Sequence, residues 1–173
     1  MQYFEALGLP PNLNLDAEDL KKRFYERSRQ WHPDRFSRAS AGEQEKALEM
    51  TSLLNDAFRT LRDPVARAEY FLKENGMELG KAAPPELLEE VFELNMALEE
   101  LKDGDESVRP QLLAAKDRFQ EMLAGSDAGL VALFGREPGP AVLDAVRAEL
   151  NRRRYISNLA REVEKVLNGN AAN

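Results

Sequence analysis

Trp31-His32-Pro33-Asp34-Arg35-Phe36 decides how this chain folds, and it holds the only histidine and the only tryptophan of the 173 residues. Proline disfavours helical geometry in the residue before it. Pro33 therefore ends any helix arriving from the N-terminal side at Trp31 or His32 and leaves Asp34 on a loop. A helix does arrive. Asp16 is a good N-cap, with Asp19 at the third helical position, and Leu15 and Leu20 stand where a hydrophobic staple joins them. Leu20, Phe24 and Trp31 share one side, and Lys21, Lys22, Arg23, Arg27 and Arg29 supply most of the rest. A second segment, about Gly42 to Leu61, leaves the corner. Its Ala47, Met50, Leu54, Ala57, Phe58 and Leu61 recur at steps of three and four, which gives one buried helical face. The two segments predict an antiparallel hairpin with an exposed His-Pro-Asp corner.

Further out, Tyr3 to Leu9 reads as a short helix ending near Gly8, before the extended turn Pro10-Pro11-Asn12. Asp63-Pro64 starts another helix, Asp as cap and Pro at the first helical position. Val65, Ala68, Phe71 and Leu72 are its apolar side, and Gly76 closes it. The spacing predicts domain boundaries at 1–75 and 86–168, a linker at 76–85 and a tail at 169–173. Three helical patterns fill the second domain: 86–102, a segment from Asp105 or Pro110 to Phe134, and 140–167. Short links between three antiparallel helices make a bundle.

Composition narrows the function. The chain is 43% hydrophobic and 32% charged, suited to helical domains with modest cores. No apolar run approaches the roughly 18 residues of a membrane span. Met1 to Glu5 lack the basic region and apolar block of a signal peptide, so the expected location is the cytoplasm. There is no cysteine, hence no thiolate site for a metal or an iron–sulfur cluster. Residues 1–75 carry 12 Lys+Arg against 13 Asp+Glu, and residues 76–173 carry 12 against 18. Neither half has the basic excess of a nucleic-acid binder. With one histidine, no cysteine and no serine in a nucleophile-elbow context, His32 and Asp34 lack the partners for catalysis or a catalytic zinc. A non-enzyme without cofactor or metal is expected.

The segment 86–102 carries a second signal. At about 100° per residue, Leu87, Val91, Leu94, Leu98 and Leu101 fall within roughly 40° of one line. Leu88, Phe92 and Met96 point about 100°, 140° and 180° away from it. Glu89, Glu93, Glu99 and Glu100 surround them, with no Lys or Arg between Glu86 and Leu101. That is either an exposed strip with an acidic border, a typical protein-binding face, or a helix buried on two sides. Arg152-Arg153-Arg154 is expected to pair with this acidic helix.

A His-Pro-Asp corner between a basic helix and a second helix of this length resembles a J-domain, the part of a co-chaperone that switches on a DnaK-type chaperone ATPase. The run from Leu54-Asn55-Asp56-Ala57-Phe58 through Arg67-Ala68-Glu69-Tyr70, with no glycine/phenylalanine-rich segment after it, is similar to the HscB family of iron–sulfur cluster assembly. The likeness covers nearly the whole chain. It implies an all-α fold, an N-terminal J-domain (antiparallel helical hairpin plus short helices) and a C-terminal three-helix bundle. It implies that Asp34 reaches an arginine on a chaperone of the HscA or DnaK type. Pro33 would fix the loop, His32 support it, and Lys21, Lys22, Arg23 and Arg29 steer the encounter. It further implies that Leu88, Glu89, Phe92, Glu93, Met96 and Glu100, plus Tyr155 from the last helix, dock the scaffold protein IscU. Glu89 and Met96 differ in type from what family members can carry there, as does Arg27 at a usually apolar position. No nucleic-acid or membrane partner is implied. A J-domain protein for a different client and a non-catalytic helical interaction protein remain alternatives.

Overall fold

The computed structural model describes residues 1–169, and no strand occurs among them. Seven α-helices lie within that range: α1 Gln2–Ala6, α2 Ala17–Gln30, α3 Ala41–Arg62, α4 Pro64–Glu74, α5 Leu88–Lys102, α6 Arg109–Phe134 and α7 Pro140–Gly169. Short 3-10 turns cover Pro33–Phe36, Pro85–Leu87 and Glu106–Val108. The all-α expectation holds. The helices gather into two compact units, one of Met1–Glu78 with Phe134–Leu143, the other of Leu79–Leu133 with the described chain after Leu143. Of the expected tail, Gly169 closes α7, and 170–173 lie outside the described residues.

Local chemistry sets the helix ends. The Asp16 carboxylate accepts the Asp19 backbone N–H at 2.7 Å and caps α2. Helix α3 starts at Ala41, slightly before the expected Gly42, because Ser40 and Glu43 form a capping box. The Glu43 N–H donates to Ser40 Oγ at 3.3 Å, and the Ser40 N–H donates to Glu43 Oε2 at 3.0 Å. The hydrogen bonds from Ser40 hold the Glu43 carboxyl below the usual carboxylate range. Asp63 caps α4 through the Ala66 N–H at 2.8 Å. Gly76, at φ +71°, ends α4 in a Schellman turn. There the Met77 N–H meets the Leu72 carbonyl at 2.9 Å, and the Gly76 N–H meets that of Lys73 at 3.0 Å.

In the first unit α3 is the central element, packed by α1, α2 and α4. It buries Ala47, Leu54, Ala57 and Leu61, and the surrounding elements bury Phe4, Leu7, Leu13, Leu20, Ala68, Phe71 and Leu72. Phe24 of α2 stacks on Phe58 of α3, with centroids 4.3 Å apart, which fixes the hairpin along its length. One buried residue falls outside the apolar pattern. Arg67 is only 8% exposed. Its Nη1 donates to the Leu61 carbonyl at 2.9 Å, and its guanidinium lies 5.2 Å from the centre of the Phe134 ring. Burial pushes the Arg67 pKa down, with Asp63 opposing. Phe134 thus joins residues 134–143 to the first unit, although the helical spacing assigns them to the span 86–168.

The second unit is the expected three-helix bundle. Leu87, Leu94, Ala97, Leu98 and Leu101 meet Leu112, Ala115 and Phe119 of α6 and Ile156, Leu159, Val163 and Leu167 of α7 in one core. Val91, Met122, Tyr155 and Val166 pack against it half-buried. The seam on α5 is therefore the buried one, and Leu88, Phe92 and Met96 are 55%, 66% and 51% exposed. Within the bundle, α5 is not buried on two sides.

This division has a measurable consequence. Leu94→Ala is expected to destabilise the second unit by about 2–5 kcal/mol, the range for truncating a packed core leucine. Met96→Ala, two residues on, is expected to stay within about 0.5 kcal/mol of wild type. Urea unfolding followed by far-UV circular dichroism compares them directly.

Candidate functional site

The corner after α2 is built from the backbone outward. Trp31 is the C-cap of α2, its N–H bonded to the Arg27 carbonyl at 3.1 Å. His32 then adopts extended geometry, φ −61° and ψ 129°, as Pro33 demands. Pro33 to Phe36 form a 3-10 turn, where the sequence suggested an open loop. His32 Nδ1 accepts the Asp34 backbone N–H at 3.3 Å, so the imidazole caps this turn. The ring of Phe36 stacks on Trp31 at 5.8 Å, and Lys46 Nζ stands 5.7 Å over the indole. Thr51 Oγ1 donates to the Trp31 carbonyl at 3.1 Å, fastening the corner to α3. Trp31 therefore packs the corner itself. The result is a braced turn with an outward carboxylate: the Asp34 side chain is 91% exposed, and its Oδ2 lies 3.6 Å from His32 Nδ1.

The five cations of α2 separate into two groups. Lys21, Lys22 and Arg29 are exposed. Arg23 is tied down, its Nε 2.8 Å from Asp19 Oδ2 and its Nη1 2.7 Å from the Gly8 carbonyl. Arg27 is half-buried beside it, and its Nη2 would stand 2.8 Å from a Cβ at Gly8, where φ is also +66°. These two arginines close the α1–α2 loop. Tyr25, half exposed, lies on the outer face one turn from both Lys21 and Arg29. The sequence reading passed over it, although its four-residue spacing from those cations was visible.

On α5 the strip Leu88-Phe92-Met96 runs along the outer side, with Glu89, Glu93, Glu99 and Glu100 exposed around it. Phe92, Asn95, Met96, Glu99 and Glu100 line an open hollow of about 390 Å³. Met96 also walls a second hollow of about 300 Å³ with Glu93, Ala97, Glu100 and Gln111. The border acids are only lightly engaged, for example Glu99 with Lys102 at 3.0 Å. Such a surface offers apolar anchors inside a negative rim, which suits a protein partner with an apolar, basic-edged patch.

Tyr155 does not sit on the strip. It lines an adjacent groove of about 490 Å³ between α5 and α7, whose wall it shares with Asn95, the residue that also borders the Phe92 hollow. The arginine run nearby is shared among several partners. Arg152 lies 3.9 Å from Glu86 and 3.6 Å from Glu149, and Arg153 pairs with Asp127 of α6 at 2.5 Å. Arg154 donates to the Gly80 carbonyl and to Asn151 Oδ1. Arg152 reaches Glu86, in the turn that leads into α5, so the expected pairing with the acidic segment is seen at Arg152.

Among the described residues no group of three or more His, Asp or Glu could hold a metal ion, and no helix is long and apolar enough to cross a membrane. Residues 2–70 match a family model described as the DnaJ domain, and residues 83–164 match one described as the HSCB C-terminal oligomerisation domain. The chain is 33% identical over 171 residues to a co-chaperone protein HscB homolog of Vibrio vulnificus, covering 96% of both chains. It is 30% identical over 172 residues to a homolog of the same name from Neisseria meningitidis, covering 96% of this chain and 99% of that one. The solved chaperone HscB of Vibrio cholerae aligns at a TM-score of 0.64 with 31% identity, over 98% and 99% of the two chains. The human co-chaperone protein HscB aligns at a TM-score of 0.65 with 24% identity, over 95% and 81%, a likeness of fold.

Proposed function

The chain belongs to the HscB co-chaperone family, and from that premise we propose that it delivers an IscU-type iron–sulfur scaffold protein to an HscA- or DnaK-type chaperone and stimulates that chaperone's ATPase. The observation that carries this reading is the outward strip of Leu88, Phe92 and Met96, more than half exposed on a helix whose other face is core. An apolar strip of this kind suits protein docking. The scaffold is its proposed occupant, with Glu89, Glu93 and Glu100 as the charged rim and Tyr155 at the edge.

The chaperone is assigned to the other unit. Asp34 offers a carboxylate free to form a short, charge-assisted contact with a guanidinium. Because Pro33, His32 and the Trp31–Phe36 stack already fix the turn, docking orders little further chain. Lys21, Lys22 and Arg29 supply the steering field. Arg23 contributes charge but is committed to Gly8 and Asp19, so its principal work is structural. Hydrolysis takes place on the chaperone; this chain contributes contacts and no reacting group.

Asp34→Asn is expected to abolish stimulation of the chaperone ATPase while stability stays within about 0.5 kcal/mol of wild type. Full stimulation by the folded variant refutes the chaperone contact assigned to Asp34. Lys21→Ala with Lys22→Ala is expected to weaken stimulation more at low salt than at high salt, since exposed charges are screened. An effect independent of salt identifies packing instead. Phe92→Ala is expected to cost roughly 2 kcal/mol of scaffold binding, about thirtyfold in Kd, with no change in the melt. Calorimetric titration with the scaffold beside a thermal melt checks it; unchanged affinity removes the strip from the interface.

A further inference from the structure

We propose that the docking face of α5 continues into the groove between α5 and α7, and that this groove receives an acidic side chain of the same partner, with Lys81 as the receiving cation. The proposal rests on the scaffold-binding reading above and adds the partner's charge pattern and its orientation to it.

Lys81 is held in place by its neighbours. Arg154 donates to the carbonyl of Gly80, and Asn151 Nδ2 donates to the carbonyl of Ala82 at 3.3 Å. Both bonds come from α7, so the carbonyls of the residues before and after Lys81 are strapped to that helix. The lysine side chain stands at the groove, exposed, and it forms no ion pair among the described residues. The floor is apolar, from Val91 and Leu159, and the walls carry Asn95, Asn158 and Tyr155. Among the described residues Glu162 is the only acid lining the groove, against the two cations Lys81 and Arg154. Across the strip the sign reverses, with Glu89, Glu93 and Glu100 exposed.

Asn95 borders both the groove and the Phe92 hollow, so one partner segment can span the two. A surface that is apolar in the centre, negative on one flank and positive on the other accepts a partner of complementary pattern in one orientation. Turned end for end, that partner meets like charges on both flanks, which is a strong rejection. The exposed cation supplies register and encounter rate rather than most of the affinity, which belongs to the apolar anchors.

The test titrates the full chain with an IscU-type scaffold protein at low and at high salt. Lys81→Glu is expected to weaken binding by roughly tenfold at low salt, with the gap narrowing at high salt, because it turns attraction into repulsion between screened charges. Lys81→Ala is expected to fall between. A lysine scan of the scaffold's acidic residues is expected to find one variant that binds Lys81→Glu more tightly than it binds wild type. If Lys81→Glu binds like wild type while Phe92→Ala is weakened, the groove proposal falls and the strip reading stands. If neither variant changes affinity, the scaffold-binding reading falls with it. Weakening of Lys81→Glu that is equal at both salts overturns the charge role assigned to Lys81.

Discussion

Proline at position 33 imposes one constraint on which the first unit depends: His32 must leave helical geometry. That forces α2 to stop at Gln30 and frees the Asp34 N–H to be capped by the imidazole. The chain then has only the Pro33–Phe36 turn and a few residues in which to reverse before Ser40 caps α3. The hairpin follows, because two amphipathic helices joined so closely bury their apolar faces against each other, here through the Phe24–Phe58 stack. The residue that carries the proposed chemistry, Asp34, is exposed for the same reason the hairpin forms. It lies on the outside of a turn whose inside is filled by Trp31 and Phe36.

In the second unit the constraint is the helical period. A helix of 3.6 residues per turn cannot bury Leu87, Leu94, Leu98 and Leu101 along one line and also bury Leu88, Phe92 and Met96 in the same bundle. The sequence of α5 is apolar on both sides, and the three-helix architecture covers only one. An uncovered apolar face does nothing for the stability of the bundle and leaves aggregation as a hazard. The surrounding exposed glutamates offset that hazard by keeping the strip solvated, and in the proposed function they favour a basic-rimmed partner. Stability and the proposed binding on this helix thus belong to different residues, one turn apart at most.

How much of this was legible in the sequence depended on the range of the interactions involved. The corner, the caps at Asp16 and Asp63, the closing glycine and the two faces of α5 rest on neighbours within a few residues, and each was readable from spacing. The Ser40–Glu43 capping box is equally local, its two partners three residues apart. Arg67 was not legible, because its burial depends on Phe134 and on the Leu61 carbonyl, neither of which a helical wheel places nearby. The same holds for Arg23 and Arg27. They read as part of a basic face, and only the tertiary position of the Gly8 loop turns them inward. For the proposed scaffold site, the strip was visible as a pattern, whereas the groove and Lys81 required the fold, since their walls come from α5, α7 and the segment before Pro84.

The two proposed sites use different physics, and that difference has a functional logic. The corner presents charge on a rigid turn, so its contacts are directional, fast to form and weakened by salt. The strip presents apolar area, so its contacts are slower to dissociate and little affected by salt. A carrier that must hold its client through many encounters with a chaperone benefits from this arrangement: the client contact persists while the chaperone contact exchanges. In the proposed function, placing both on one chain would make the client's arrival at the chaperone an intramolecular event, which raises its effective concentration without any new contact. Because the principal contact residues, Asp34 and Phe92, are exposed, each proposed site can be tuned in affinity there without unfolding the domain that presents it.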